Sequence, residues 1–316
     1  MFSYIIKRLL LVIPVLFVVS IVIFSIVYIT PGNPAAILLG MEATAEGIEN
    51  LSRELGFDRP FYQQYLSWIL NVLKGDLGNS IFMQQPVLQA IVEHFPPTIS
   101  LALFSQTIAI LIAIPVGILS AYKRGSVLDT AMTVISLFGI AIPGFLLGLF
   151  LMLIFGVELN WLPVAGYRRI SDGLWDHVRY LILPGISLGT VQVALIMRMT
   201  RSAMLDVLGV NYIKTARAKG LREVVVVAKH GLKNAGIPIL AVVGQSFANL
   251  MTGAVVVESL FNIPGIGRLV LNAIERRDIA VIQGVVLLIT LVYVIINLVV
   301  DLLYGIIDVR IRLKNE

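Results

Sequence analysis

The run that decides the fold reads TISLALFSQTIAILIAIPVGILSAY and occupies residues Thr98–Tyr122, with no charged side chain in it. A helix needs about 20 apolar residues to cross a hydrocarbon core of about 30 Å. The strands of membrane β-barrels are shorter, about 10 residues, and alternate in polarity. This run therefore predicts a transmembrane helix rather than a barrel strand.

Comparable apolar runs recur along the chain on both sides of this one. The composition agrees, since 58% of residues are hydrophobic, 14% are charged and the mean hydropathy is +0.92. Soluble domains average about a quarter charged residues. A buried soluble core explains one or two such runs but not six. We therefore predict an all-α polytopic membrane protein with six transmembrane helices: Leu9–Thr30, Thr98–Tyr122, Thr130–Phe155, Leu181–Met199, Gly236–Val257 and Ile279–Tyr304.

The distribution of lysine and arginine predicts the orientation. Cytoplasmic segments of membrane proteins carry the excess of these residues. Alternate segments of this chain, starting with the N-terminus, are the more basic ones, which puts both termini in the cytoplasm. The net charge of +5 is thus a topology signal and gives no reason to expect nucleic acid as a partner. The residues that carry the bias are Lys7, Arg8, Lys123, Arg124, Arg198, Arg201, Lys214, Arg217, Lys219, Arg222, Lys229, Lys233, Arg310, Arg312 and Lys314.

Residues 1–97 are predicted to form an N-terminal membrane anchor and a long extracytoplasmic amphipathic loop. The first run is longer than the apolar part of a signal peptide, which indicates a retained anchor. In the loop, Thr44 is a candidate N-cap of a helix that Gly56 ends. An aromatic-rich helix follows over residues 61–73, in the headgroup layer or packed on the spans. Pro96 and Pro97 are expected to interrupt the chain before the second span.

Residues 98–316 are predicted to form one transport core, which carries a basic cytoplasmic loop at about 200–235. The loop contains Asn211-Tyr-Ile-Lys-Thr-Ala-Arg-Ala-Lys-Gly220-Leu-Arg222. Asn211 is a candidate N-cap, and Gly220 stands where a left-handed residue turns a chain at the end of a helix. A second helix over about Leu221–Asn234 leads to Pro238 and the fifth span. A loop that only sets topology needs charge, but it needs no capped helix, small residues and glycine bend in that order.

This loop resembles the EAA loop of type I ABC-importer permeases, in the variant found in dipeptide, oligopeptide and nickel transporters. The similar residues are Tyr212-Ile-x-Thr-Ala-Arg-Ala-Lys-Gly220-Leu, His230-x-Leu-x-Asn-Ala and Ile237-Pro238, with Lys214-Thr215-Ala216 where the family has its glutamate-alanine-alanine. Further similar blocks cover nearly the whole chain: Leu55–Pro60, Gly75–Ser80, Arg198–Leu208, Glu258–Arg268, Arg277-Asp278, Asn297–Asp301 and Asp308–Arg312.

The resemblance implies the type I ABC importer transmembrane fold and a permease that binds no cofactor itself. ATP and Mg would be used by two cytoplasmic ATP-binding subunits, which grip the corner at Gly220. A second homologous permease would complete the path, and an extracytoplasmic binding protein would deliver the substrate. The location implied is a bacterial or archaeal cell membrane. The coupling-loop residues implied are Tyr212, Thr215, Ala216, Arg217, Ala218, Lys219, Gly220 and Leu221.

The sequence itself offers no phosphate-binding or metal chemistry. It has no G-x-x-x-x-G-K-[ST] motif and no cysteine, and its histidines, His94, His177 and His230, lie far apart outside the spans. We therefore predict a transport subunit rather than an enzyme and no metal site.

A proton-coupled secondary transporter is the competing class, and it would need ionisable groups inside the membrane. Asp301 and Arg198 are the candidates, and both lie near the inner ends of spans, where solvated or paired structural charges suffice. Among substrates, peptide comes first on motif similarity, with nickel and glutathione as alternatives. Polar residues within the spans either line the path or form interhelical hydrogen bonds: Gln192, Gln245, Asn249 and Asn297.

Overall fold

The computed structural model describes residues 2–29, 36, 39, 44–54, 56 and 58–307. Eleven helices of eight residues or more organise these residues, and a short 3-10 helix, Ile170–Asp172, lies before the seventh. The eleven helices are α1 Phe2–Ile29, α2 Ala45–Glu54, α3 Phe61–Leu73, α4 Val87–Tyr122, α5 Val127–Ala141, α6 Gly144–Glu158, α7 Leu174–Leu208, α8 Asn211–Ala218, α9 Glu223–Leu260, α10 Ile266–Glu275 and α11 Ile279–Ile307. The last similar sequence block, residues 308–312, lies outside the described part of the chain, as do Leu55 and Phe57.

The all-α membrane architecture is confirmed, and the count of six spans remains a prediction. Among the described residues, four helices are long and apolar enough to cross a membrane, namely α4, α7, α9 and α11. The bent pair α5–α6 makes a fifth, and α1 contributes a shorter apolar stretch, Leu10–Ser25. The orientation of the termini also remains a prediction.

The third predicted span, Thr130–Phe155, is not one continuous helix. Helices α5 and α6 meet at an angle of 98°. The break lies at Ile142, which has extended backbone angles of φ −83° and ψ 119°, and at Pro143, which precedes α6. Proline disfavours the helical conformation in the residue before it and has no N–H to donate. Because the run is apolar on both sides of the break, its composition does not indicate where the helix ends.

The expectation that Pro96 and Pro97 interrupt the chain is wrong. Helix α4 runs through both of them and begins eleven residues before the predicted span, at Val87. Its first turns pack into a buried cluster with α10 and α11 through Val87, Ala90 and Ile91. Packing of this kind offsets the hydrogen bonds that proline removes from a helix, as it does in other membrane helices.

The basic loop differs from its prediction at two points. Val210, with φ −77° and ψ 153°, occupies the N-cap position of α8, and Asn211 is the first helical residue. Ile213 and Ala216 of this helix are buried. The second helix does not end near Asn234 but continues through Pro238 as part of α9.

The N-terminal amphipathic helices form as predicted. The Thr44 hydroxyl accepts the Gly47 N–H at 3.1 Å, and Gly56 has φ +72°. Helix α3 packs against α1, where Tyr65 is buried and its hydroxyl lies 2.8 Å from the Ser20 hydroxyl. The rings of Phe61, Tyr65 and Trp68 surround Phe24 at centroid distances of 5.3–5.6 Å.

Helix α7 is the centre of the bundle and packs against α4, α5, α6 and α9. The contact with α4 is close, because a Cβ on Gly117 would lie 2.8 Å from the Met197 carbonyl oxygen and from Thr200 Cβ. Glycine at this position therefore lets the two backbones approach. The basic corner follows the C-terminal end of α7, while residues 75–86 precede the N-terminal end of α4, at the opposite end of the bundle.

Candidate functional site

The corner after α8 is a complete glycine-terminated helix end. The Gly220 N–H donates to the Arg217 carbonyl at 2.9 Å, and the Leu221 N–H donates to the Ala216 carbonyl at 3.4 Å. These two bonds define the Schellman motif, which places a left-handed residue just after the helix. Gly220 has φ +74°, as the sequence predicted. The chain therefore reverses at a fixed position with its last helical carbonyls satisfied.

A small apolar cluster holds the corner against the bundle. Ile213 and Ala216 of α8 and Val226 of α9 are buried, and Val207 and Leu208 at the end of α7 pack against them. Since Ile213 and Ala216 are three residues apart, they share one face of α8. That face is the inner one. The opposite face is left to the solvent.

An ion pair closes the corner from outside. The Arg217 Nη2 donates to Glu223 Oε1 at 2.7 Å, and its Nε lies 3.2 Å from both carboxylate oxygens. The hydrogen bonds to Glu223 raise the pKa of the Arg217 guanidinium above its usual value. Both side chains are partly exposed, at 42% and 34%, so the pair contributes at most about 1 kcal/mol. Its structural effect is to connect α8 to the start of α9.

All but one of the predicted coupling-loop residues are exposed. Tyr212 is 39% exposed with its hydroxyl 3.4 Å from the His230 carbonyl, and Leu221 is 40% exposed. The exception is Ala216, which belongs to the supporting cluster and offers no side chain to a partner. A Cβ on Gly220 would meet no atom of this chain within 4 Å. The exposed members are Tyr212, Thr215, Arg217, Ala218, Lys219, Gly220 and Leu221.

The structure brings together three of the four residues predicted to line a path. The Gln245 Nε2 of α9 donates to Asn249 Oδ1 at 3.1 Å and lies 3.4 Å from the Tyr293 hydroxyl of α11. One turn further along α11, the Asn297 Nδ2 donates to the Tyr293 carbonyl at 2.8 Å. Gln192 lies elsewhere, 7% exposed on α7, and its Oε1 has no hydrogen-bond partner within the described part of the chain.

Two of these polar residues, Gln245 and Asn297, border open cavities on α11. Gln245, Asn297 and Asp301 line a cavity of about 270 Å³ between α9 and α11. Asn297 and Asp301 also line a cavity of about 380 Å³ between α11 and α1, together with Tyr293. A polar surface at membrane depth is costly against lipid and is expected to face a partner or water.

Sequence reasoning missed a buried polar network near the corner. Asp129 at the start of α5 is 4% exposed and accepts hydrogen bonds from Arg201 Nε at 2.6 Å and Arg201 Nη2 at 2.8 Å. The Ser120 hydroxyl and the Gly125 N–H also donate to this carboxylate. The sequence indicates only a topology role for Arg201, and the structure gives this residue a specific partner on another helix. In the sequence, this network is indicated only by the position of Arg201 within the similar block Arg198–Leu208.

Three of the similar sequence blocks, Gly75–Ser80, Glu258–Arg268 and Arg277-Asp278, contribute to contacts at the opposite end of the bundle. The Thr98 hydroxyl donates to Glu258 Oε1 at 2.6 Å and accepts the Ile266 N–H at 2.8 Å. Nearby, the buried Ser80 hydroxyl donates to Asp278 Oδ2, also at 2.6 Å. Each bond joins the N-terminal half of the chain to the segment around α10. Residues that looked like separate motifs thus hold one structural junction.

Comparison with known proteins finds one transport family along most of the chain. The family described as binding-protein-dependent transport system inner membrane component matches residues 113–313, and its N-terminal part matches residues 1–102. The dipeptide transport system permease protein DppB of Alkalihalophilus pseudofirmus is 42% identical over 99% of this chain and 100% of its own length. The glutathione transport system permease protein GsiC of Shigella flexneri is 43% identical over the same shares.

A solved structure has the same fold. The inward-facing methionine ABC transporter MetNI superposes with a TM-score of 0.59 over 70% of this chain and 97% of that chain. The identity is 18%, so this likeness establishes the architecture of the core and nothing finer.

Proposed function

This chain belongs to the family of binding-protein-dependent transport system inner membrane components, and we propose that it forms half of the translocation path of a peptide importer. It is a multi-pass bacterial cell-membrane protein and a permease subunit of the ABC transporter class, not itself an enzyme. The proposal extends to the cargo, to the residues along the path and to the way in which the chain is coupled to an ATPase.

The proposed translocation path is inferred from the polar surface on α9 and α11. Gln245 and Asn297 lie within mostly apolar helices and border open cavities, and Asn249 accepts a hydrogen bond from Gln245. A second homologous permease placed against this side would enclose the polar surface and leave lipid on the remaining faces. Their carboxamides offer both donors and acceptors, as a peptide backbone requires.

The corner at Gly220 is the proposed point of coupling. Its helix end is capped, one face packs against the bundle and the other face is exposed. A partner bound to the exposed face would therefore move α8 and α9 together. In this assembly two cytoplasmic subunits would bind ATP with Mg, and an extracytoplasmic binding protein would deliver the peptide. This chain would transmit the motion without contacting the nucleotide.

Reconstitution tests the proposal. The permease pair and its ATPase subunits are placed in liposomes with the binding protein outside and ATP inside, and uptake of a labelled dipeptide is measured. We expect uptake that requires both ATP and the binding protein and that a protonophore leaves unchanged. Uptake without ATP that stops when the proton gradient is removed would contradict the proposal and favour a secondary transporter.

Glutathione is the second candidate cargo. A relative that is 43% identical over 99% of this chain is named for glutathione transport, which is as close as the dipeptide relative. Glutathione is itself a small peptide, so the same carboxamide surface would suit it. Calorimetric titration of the binding protein with a dipeptide, glutathione and Ni²⁺ separates these cargoes, and we expect heat with a peptide and none with Ni²⁺.

A further inference from the structure

Helix α5 has few buried contacts with the rest of the bundle. Of its fifteen residues, only Asp129 and Ser136 are buried. The Ser136 hydroxyl donates to the Thr133 carbonyl at 2.7 Å, so this bond stays within α5. The half-buried Met132 adds an apolar contact with a cluster from α4 and α7. Across α5, all of which the structure describes, Asp129 is therefore the one buried side chain that is bonded to other helices.

The Asp129 carboxylate joins three separate elements. From α7, Arg201 donates through Nε at 2.6 Å and through Nη2 at 2.8 Å. The Ser120 hydroxyl donates from the last turn of α4 at 2.5 Å, and the Gly125 N–H donates from the turn between α4 and α5 at 3.0 Å. A two-bond contact between arginine and a carboxylate fixes orientation as well as distance. The first turn of α5 is thus held to α7 in one orientation.

Arg201 lies on the part of α7 that supports the corner. Leu208, the last residue of α7, follows it by seven positions, which is about two helical turns or roughly 10 Å. Val207 and Leu208 pack against the buried residues of the corner. The last turns of α7 therefore contact both the corner and α5, and a displacement of these turns would act on Arg201 directly.

The other end of α5 meets the helix break at Ile142 and Pro143. Beyond the break, α6 is fixed to α7, since the Ser187 hydroxyl donates to the Gly144 carbonyl at 2.7 Å. The packing is close there, because a Cβ on Gly148 would lie 2.8 Å from the Ser187 hydroxyl oxygen. Hinges are commonly a few residues at the ends of elements that absorb changes in backbone angles. The break thus allows α5 to turn relative to α6.

We propose that the Asp129–Arg201 ion pair transmits the movement of the corner to α5, which pivots at Ile142 and Pro143 while α6 stays fixed to α7. The inference rests on the proposed function, which supplies the ATPase that moves the corner. Asp129 and Arg201 are positioning residues in this mechanism, because they act through α5. Without the pair, α5 would no longer follow the end of α7, and ATP hydrolysis would drive less transport.

The amount of peptide taken up per ATP hydrolysed tests the role of the pair in the reconstituted transporter. Asp129→Asn removes the charge and keeps the shape, whereas Arg201→Lys keeps the charge and loses the two-bond contact. We expect the ratio to fall about tenfold in Asp129→Asn, as the loss of a charged hydrogen bond predicts, and less in Arg201→Lys. ATP hydrolysis should persist in both variants.

Ser136→Ala is the matched control, because it removes the other buried polar group of α5 without breaking a bond to another helix. Its ratio of uptake to hydrolysis should equal that of the wild type. If Asp129→Asn does not assemble, Arg201→Lys decides the question. An unchanged ratio in the assembled variants, including one in which uptake and hydrolysis fall in proportion, would show a purely structural pair and overturn the proposal.

Distances between spin labels test the pivot itself, and the chain has no natural cysteine to interfere with labelling. Val127→Cys at the start of α5 is paired with Val224→Cys beside the corner or with Leu153→Cys on α6, and all three sites are exposed. Between the nucleotide-free and vanadate-trapped wild type, we expect the 127–153 distance to change and the 127–224 distance to stay constant. In Asp129→Asn, the 127–224 distance should change as well.

Two results separate failure of this inference from failure of the proposed function. An unchanged 127–153 distance in a wild-type complex that takes up peptide with ATP would overturn the pivot. The same holds for a 127–224 distance in Asp129→Asn that stays as constant as in the wild type. A wild-type complex without ATP-driven uptake would instead contradict the proposed function.

Discussion

The Thr98 hydroxyl donates a 2.6 Å hydrogen bond to Glu258, which lies 160 residues further along the chain and is fully buried. The same hydroxyl accepts the Ile266 N–H, and the second oxygen of Glu258 accepts the Arg268 N–H. A Cβ on Gly265 would lie 2.3 Å from this carboxylate, so the loop before α10 closes around it. Thr98 and Glu258 therefore fix α10 to both α4 and α9.

The first prediction concerns this junction. Thr98→Val keeps the shape of the side chain but leaves a buried carboxylate oxygen and a buried N–H without their partner. An unsatisfied buried group costs about 1–3 kcal/mol, so we expect the thermal midpoint of the purified complex to fall. Thr98→Ser retains the hydroxyl and is the matched control. Equal midpoints for the valine, serine and wild-type proteins would show that the bond does not stabilise the fold.

The second prediction distinguishes two roles for Arg217: an ion pair with Glu223 that stabilises the corner, or a direct contact with the ATPase. If its role is to hold Glu223 across the corner, Arg217→Glu should lower coupled transport by no more than about fivefold, since exposed pairs contribute up to about 1 kcal/mol. The exchanged pair Arg217→Glu/Glu223→Arg should then recover most of the loss. Transport rates in proteoliposomes measure both. A double variant no better than the single one would mean that Arg217 contacts the ATPase directly.

The third prediction uses the natural absence of cysteine. Tyr65 is 9% exposed against α1, whereas the Glu49 side chain is 65% exposed on α2. In right-side-out vesicles, a membrane-impermeant maleimide should label Glu49→Cys rapidly and Tyr65→Cys slowly. Detergent unfolding should make both sites reactive, which controls for expression. Fast labelling of both sites in the vesicles would mean that α3 does not stay packed on the anchor.

Asp301 provides a fourth prediction, because the two classes of transporter assign it different roles. A proton-coupled carrier would use its carboxylate as a relay, and Asp301→Asn would abolish uptake. In an ABC permease the residue is structural, so the asparagine variant should keep ATP-driven uptake while Asp301→Ala yields less assembled complex. Quantitative immunoblots of the purified complex and uptake assays distinguish these results. An assembled but inactive asparagine variant would contradict the assignment.

Much of the architecture could be predicted from sequence because hydrophobic length and glycine chemistry are local properties. The apolar runs identified the helices, and the basic stretch identified the corner with Gly220 at positive φ. The errors at the prolines arose because the same local properties do not include packing between helices. Pro143 bends the third span by 98° within an apolar run, whereas Pro96 and Pro97 do not break α4 because its first turns are packed against α10 and α11. Proline alone does not reveal which outcome occurs.

Contacts between distant residues were beyond sequence reasoning for a different reason. The partners in the Asp129–Arg201 and Ser80–Asp278 pairs are 72 and 198 residues apart, and no periodic pattern connects them. Similarly, Gln192 and Gln245 look alike as polar residues in apolar helices. The bundle buries Gln192 and exposes Gln245, so only the packing of α7 and α9 distinguishes them.

The central claim is that the corner at Gly220 couples this permease to an ATPase, and the most direct measurement compares two glycine substitutions. Gly220 and Gly75 have φ +74° and φ +86°, and a Cβ on either would meet nothing within 4 Å, so valine imposes a similar backbone strain at both. Uptake and binding-protein-stimulated ATP hydrolysis are measured for Gly220→Val and Gly75→Val in proteoliposomes. We predict that both activities fall together in Gly220→Val, with normal insertion and assembly, and persist in Gly75→Val. Normal coupled transport by Gly220→Val would contradict the account.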